Sequence, residues 1–279
     1  MDQQKCLYRH NNIVRGFFGM AVAVGLLQAF SVGKVQAQVL APFSDSWENY
    51  SVGDNPTGWT IEPTVSIQLN SGTSGGFPPP PPVGGLTPNE KVAYQNRPDL
   101  GGYNFFRQFA TGGGLTTGTY VASFQIYAEA ANAVTLFRVA SWAGLGSSAA
   151  WLQFDTTTAV NRVRILTNGG YINWGVAGDF TTGKWYEFKT TINMDAKNVT
   201  YEGRNLTDSI NFTTQTNLAF AQATTEIGRF AYSGDGGTNP NRYYINDASV
   251  VPEPHAVGLI LVGGLLLASL RRKRPGLDS

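Results

Sequence analysis

Histidine and cysteine are almost missing from this 279-residue chain, which holds two of the first and one of the second. Cys6 and His10 stand near the start and His255 near the end, so nothing between Gln38 and Val251 carries an imidazole or a thiol. That excludes from the middle of the chain a Ser-His-Asp triad, a Cys-His pair, a thiolate metal site and an imidazole general base. An internal disulfide is excluded as well, even in a compartment that would allow one. Stability of the middle must come from burial, and its length of about 214 residues is enough for one core.

Charge is sparse and unevenly placed. Of the 20 Lys+Arg, four precede Gln38 and four close the tail, which leaves 12 between Gln38 and Val251 against 16 Asp+Glu. The middle is therefore acidic by about four charges, although the whole chain sums to +1. No basic stripe remains there for nucleic acid, so no nucleic-acid partner is expected.

What the chain does have is a distinct texture at each end. "RGFFGMAVAVGLLQAF" (Arg15 to Phe30) is an apolar core that follows Lys5, Arg9 and Arg15, and "VQAQ" offers a cut between Ala37 and Gln38. This is the pattern of a secretory signal peptide over residues 1–37, which implies the Sec translocon and signal peptidase as partners. An uncleaved N-terminal anchor is the alternative. The other end reads "VPEPHAVGLILVGGLLLASLRRKRPG" (Val251 to Gly276). As a helix, the uncharged run from Ala256 to Leu270 spans roughly 22 Å, against a hydrocarbon core of about 30 Å. That is short for a durable transmembrane helix, though thinning and snorkelling cations can rescue it. Arg271, Arg272, Lys273 and Arg274 mark the cytoplasmic side, and Pro252 and Pro254 keep the preceding backbone extended.

A plain single-span tail anchor accounts for these features. The whole order also resembles the PEP-CTERM sorting signal of Gram-negative bacteria, with Pro252-Glu253-Pro254 as its tripeptide. The resemblance covers about the last tenth of the chain, residues 252–274, with 275–279 as a trailing tail. It implies recognition by an exosortase, a membrane-embedded cysteine transpeptidase, and then release or transfer to the cell surface. It is an address and not an activity.

Residues 38–251 read as one β-rich domain. Helical periodicity is absent, and short alternating runs recur between Gly, Asn and Thr. "TYVASFQIYAE" (Thr119 to Glu129) sets Tyr120, Ala122, Phe124 and Ile126 on one face and Ser123, Gln125 and Glu129 on the other. "KWYEFKTTINM" (Lys184 to Met194) groups Tyr186, Phe188, Ile192 and Met194 and sends Glu187, Lys189 and Thr191 outward. "VTLFRVA", "AWLQFD", "NRVRILT", "NVTYEG", "EIGRFAY" and "RYYINDASV" are further strand candidates. One solvated face per sheet points to antiparallel pairing, and many such strands imply an all-β sandwich or jelly roll. The Pro-rich stretch at 77–82 reads as a stiff exposed loop inserted in the domain, with a ligand for a proline-binding groove as the other reading.

"FSDSWENYSVGDNPTGW", "GKWYEFKTTINMDAKNVTYEG" and "RYYINDASV" are similar to the concanavalin A-like (laminin G-like) jelly rolls of bacterial surface proteins. The resemblance implies that the first and last strands lie together in one sheet, and that Asp195-Ala196-Lys197-Asn198 forms a turn between two strands.

Carboxylates are the chemistry left open. Glycoside hydrolysis needs two, set about 5–10 Å apart around the scissile bond. No Glu-x-Asp-x-Glu strand occurs, and Glu187 and Glu226 read as lone acids on a solvated face. No catalytic residue is assigned, and the chain is not expected to be an enzyme. Binding fits the residues better. Trp142, Tyr171 and Trp174 are carbohydrate-binding candidates in loop-like segments, where rings can stack on sugars or else fill the core. For Trp151 and Trp185, inside strand patterns, core or inter-strand packing is expected. Glu48 and Asp247 are the candidate calcium ligands, because the jelly-roll pairing would bring their segments together, while a polar turn explains each more simply. No other cofactor is expected. The reading is an exported cell-surface or matrix protein, a non-catalytic module associated with extracellular polysaccharide. A purely structural envelope protein and a carboxylate-dependent carbohydrate-active enzyme are the alternatives.

Overall fold

A computed structural model describes residues 43–61, 65–69, 91–97, 104–110, 113–128, 133–156, 162–174, 180–237 and 241–253. The signal segment with Ala37 and Gln38, the Pro-rich stretch 77–82, Pro254, the apolar run 256–270 and Arg271, Arg272, Lys273 and Arg274 lie outside the described residues.

The described residues form strands and no helix. In chain order these are β1 (Phe43–Asp45), β2 (Trp59–Ile61), β3 (Val65–Leu69), β4 (Lys91–Arg97), β5 (Asn104–Gln108), β6 (Thr119–Ala128), β7 (Ala133–Ala140) and β8 (Ser148–Asp155). Then follow β9 (Arg162–Thr167), β10 (Gly170–Trp174), β11 (Trp185–Asn193), β12 (Asn198–Asn205), β13 (Ile210–Asn211), β14 (Gln215–Ala219), β15 (Arg229–Gly237) and β16 (Asn241–Pro252). Sheet one runs β13-β12-β11-β6-β16-β4-β3, with β1 also on β16 and β14 also on β12. Sheet two runs β10-β9-β8-β7-β15-β5-β2. Every pairing among them is antiparallel. The chain is an all-β antiparallel sandwich of two sheets. Its first and last strands are adjacent, with Phe43 opposite Val250.

Alternation decides which side chains enter the space between the sheets, because successive residues of a strand point to opposite faces. On β6, Ala122, Phe124 and Ile126 are buried while Val121, Ser123 and Gln125 are half-exposed. Across the register, Phe124 sits opposite Phe188 of β11. It also meets Phe137, Phe154, Phe230 and Tyr232 of sheet two at ring-centroid distances of 4.3–6.2 Å. The core is thus built mainly from rings, which bury large area in offset and edge-on contacts.

Asp45 ties the N-terminal segment to sheet two. Its buried carboxylate accepts from Trp47 N (3.1 Å), Tyr50 Oη (2.8 Å), Trp59 Nε1 (2.9 Å) and Arg107 (3.2 Å). These four donors satisfy the hydrogen-bonding capacity that burial would otherwise leave unmet.

The turn between β11 and β12 comes one residue earlier than expected. Asn193 Oδ1 accepts from Asp195 N (3.0 Å) and Ala196 N (2.8 Å), and Lys197, not Asn198, takes the positive φ of 55°. Asn198 already pairs as the first residue of β12. The domain's last strand runs through Pro252, past the expected boundary at 251. Pro252 lies opposite Tyr120 and Glu253 N donates to Thr119 O at 2.9 Å. Proline is tolerated there because a strand's end needs no further donor.

Candidate functional site

Trp142 is held out to solvent by its neighbours. It lies in the β7–β8 loop and is 36% exposed. Ser141 Oγ donates to Glu226 Oε1 (2.8 Å) and accepts from Ala143 N (3.1 Å), which fixes the backbone on both sides of the ring. Gly228 supports it from behind. A Cβ at that position would come within 2.6 Å of Trp142 Cβ and 2.9 Å of its Cα, so only glycine permits this approach.

Beside this loop is a groove of about 540 Å³, where loops from both sheets meet. Its lining surface is mostly apolar, with Phe220, Ala219 and Ala223, and Asn168, Lys197, Gln222 and Glu226 are among its polar groups. The segment from Ala219 to Glu226 is stitched to sheet two by Ala221 N to Ala149 O and Gln222 N to Ser148 O, both 2.9 Å. Glu226, expected on a solvated strand face, instead lies in the loop before β15. Its other oxygen accepts from Gly114 N at 3.1 Å, so its carboxylate works as a clamp. It is the only acid in the groove wall among the described residues. Glu187 is outward on β11 as expected, and Arg204 of β12 pairs with it at 2.7 Å.

The face of sheet two turned away from the core holds a second arrangement. Six neighbouring strands, β10-β9-β8-β7-β15-β5, contribute in turn Tyr171, Arg164, Trp151, Arg138, Arg229 and Phe106. Each arginine lies over an aromatic ring of the adjacent strand. The guanidinium carbon to ring-centroid distances are 4.0 Å for Arg138 on Trp151, 5.1 Å for Arg229 on Phe106 and 5.2 Å for Arg164 on Tyr171. Such contacts hold a guanidinium in place beside the ring. Arg162 is outward on the same face. Asp155, fully buried, pairs with Arg164 and, at 3.5 Å, with Arg162. Tyr171, 47% exposed, ends the row. The only local signal of this row in the sequence is an Arg between core residues in "LFRVA", "RVRIL" and "GRFA".

Trp174 requires a correction. It is the last residue of β10 and 1% exposed, packed against Phe188, Tyr201 and Phe212 with Nε1 donating to Thr213 O at 2.7 Å. A ring enclosed on these sides has no face to offer a sugar. Trp151 and Trp185 pack between strands, each on the outward face of its sheet. Trp185 joins Val92, Tyr94 and Tyr244 in a small cluster separate from the main core.

The two candidate calcium ligands are both exposed. Glu48 Oε1 accepts from Lys91 N at 2.8 Å, and its backbone carbonyl accepts from Lys91 Nζ, also at 2.8 Å. Asp247 sits at the β-bulge of β16 with φ of 48°. Among the described residues no group of three or more His, Cys, Asp or Glu is gathered as a metal site would need.

Buried phenols flank the core. Tyr201 Oη accepts from Trp151 N at 3.2 Å. Burial pushes its pKa well up, with the hydrogen bond acting weakly in the opposite sense. Burial raises Tyr232 in the same way, and the neighbouring Tyr243 adds to it.

No protein-family model matches the sequence, and no curated protein matches it. Among solved structures it is similar to the catalytic domain of the glycoside hydrolase family 131 protein from Coprinopsis cinerea. That match has 14% identity over 73% of this chain and 81% of that one, with a TM-score of 0.46. It is also similar to the T. cruzi calreticulin globular domain (14% identity, 82% and 95%, TM-score 0.48). A third is lectin II from Ulex europaeus (13% identity, 74% and 97%, TM-score 0.44).

Proposed function

We propose that this chain is an exported, non-catalytic polysaccharide-binding module built on a concanavalin A-like jelly roll. Its tail sorts it through an exosortase to the cell surface or the extracellular matrix. The observation that carries the binding reading is Trp142, an exposed ring held by Ser141 and Gly228, next in the chain to Ser141, which lines the groove. Sugars are recognised by an aromatic face against their C–H surface, with donors and acceptors at the edge. Trp142 supplies the aromatic face, and Asn168, Lys197, Gln222 and Thr224 in the groove supply the polar contacts. Tyr171, exposed at the end of the arginine row, offers a second ring. The non-catalytic part of the reading is supported by the lack of His and Cys from Gln38 to Val251 and by the clamping role of Glu226.

The test is electrophoretic retention in gels that contain extracellular polysaccharide. Trp142→Ala and Tyr171→Ala are expected to weaken retention, each by about tenfold, as removal of a central aromatic anchor does. Both variants should keep the wild-type melting temperature, since neither ring is in the core. Unchanged retention in both would leave a purely structural envelope protein as the better account. Release of reducing ends from the polymer would make it an enzyme.

A further inference from the structure

We infer that the polymer is acidic, and that it lies across the outward face of sheet two along the three arginine–aromatic couples. This rests on the polysaccharide-binding reading and adds the class of sugar. Four guanidiniums, Arg138, Arg162, Arg164 and Arg229, converge on this face. Among the described side chains its only carboxylate is Asp155, which is fully buried and already engaged by Arg162 and Arg164. Between Gln38 and Val251 acids outnumber bases 16 to 12, so this concentration of positive charge runs against the domain's overall sign. Arg229 has no ion pair among the described residues and rests on Phe106 alone. Six strands at about 4.8 Å spacing make a track of about 24 Å, long enough for several sugar units in an extended chain.

Two further side chains point to a hydroxylated anion rather than a bare polyphosphate. Gln153 pairs across the strands with Arg164, and Ser233 lies opposite Leu136. Both residues are more than nine-tenths buried. Gln153 Oε1 and Ser233 Oγ nevertheless have no hydrogen-bond partner in the protein. Gln153 Oε1 can only accept and lies beneath the surface, so a sugar hydroxyl meets it once the Gln153 side chain turns outward. The arginine edges take the carboxylate or sulfate, in bidentate geometry where the fork allows it. Tyr171, the exposed ring at the end of the row, offers its open side to a sugar. The β7–β8 loop links this track to Trp142, because Arg138 donates to Leu145 O within that loop at 3.4 Å.

The full-length protein, in mild detergent, is run in gels containing polygalacturonate, dextran sulfate, neutral dextran or single-stranded DNA. Retention by polygalacturonate or dextran sulfate is expected, the two polymers separating carboxylate from sulfate recognition. That retention should fall as salt shortens the screening length. Arg229→Gln should weaken it by about tenfold, and Arg138→Gln with Arg229→Gln by more. Lys189→Gln, on sheet one, should leave it unchanged. Arg229 has no ion pair to lose, so the single variant keeps the test decisive if the double variant is unstable. Retention by neutral dextran alone, insensitive to salt and to these arginines, overturns the acidic assignment and leaves the carbohydrate reading standing. No retention by any polymer overturns both. Tighter retention by DNA than by either acidic polysaccharide overturns the inference in favour of a nucleic-acid surface.

Discussion

Single residues set the chemistry this domain can and cannot do. Asp45 gathers four donors inside the protein, and Glu226 holds Ser141 and Gly114. These two carboxylates are both spent on architecture. Tyr201 and Tyr232 show the cost of burying a titratable group. Removal from water disfavours the phenolate, so their folded pKa values lie above the ordinary value of about 10. An acid whose folded pKa is raised keeps its proton in the native state after the unfolded chain has lost it. Its contribution to stability is therefore complete below about pH 10 and is lost as the pH climbs from there toward the folded values. Stability to urea should be flat through neutral pH and drop steeply above about pH 10. Tyr232→Phe, which removes a buried hydroxyl without a partner, should soften that drop. A denaturation midpoint that does not change between pH 9 and pH 11 would contradict this account.

Elements bring these residues together, and glycine decides how closely. The β7–β8 loop can lie against the start of β15 only because Gly228 has no side chain beneath Trp142. Gly228 also donates to Ala140 O at 2.8 Å, so the backbone at this point has little room to retreat. Gly228→Ala should destabilise the protein by about 1–3 kcal/mol, as overpacking does. In a Trp142→Gly background, where the opposing Cβ is gone, the same change should cost less. Equal losses in the two backgrounds, read from urea midpoints, would refute the close-packing explanation. At this scale the sequence was legible where alternation was strong. β6, β11 and β12 lie within a residue or two of the stretches read as strands, with the expected residues buried. Legibility failed where pattern was weak. "GYINW" has too few alternating apolar residues to distinguish a strand from a loop, and so the sequence leaves Trp174 open between a sugar-stacking ring and a core ring. "EIGRFAY" was read as strand throughout, but Glu226 is held in the loop by Ser141 and Gly114, partners distant in sequence.

For the molecule as a whole, the sandwich closes with the strand that leads into the tail. β16 is flanked by β6 and β4 in sheet one, and its last residue is Pro252. A cut far upstream of Pro252 would remove a strand from the middle of that sheet. The proposed sorting event therefore has to leave β16 whole. The native exported product should start at Gln38 and end no earlier than Pro252, as intact mass spectrometry would report. A mass equal to that of all 279 residues would refute both the signal-peptide and the tail-processing readings. Loss of sorting on deletion of the exosortase would separate that route from a plain anchor.

The sequence alone determined what is local. Missing His and Cys remove whole reaction classes in any fold, and period-two alternation assigns each strand residue to an inward or outward face. Strand order is not local, and only the tertiary structure decided it. Arg138 and Arg164 lie on β7 and β9 of one run of successive strands, and Arg229 lies far along the chain on β15. They form a row because β9, β7 and β15 are placed between β10, β8 and β5, so that each arginine meets a ring on a neighbouring strand. The same long-range pairing closed Phe188, Tyr201 and Phe212 around Trp174, a burial that no short stretch of sequence encodes.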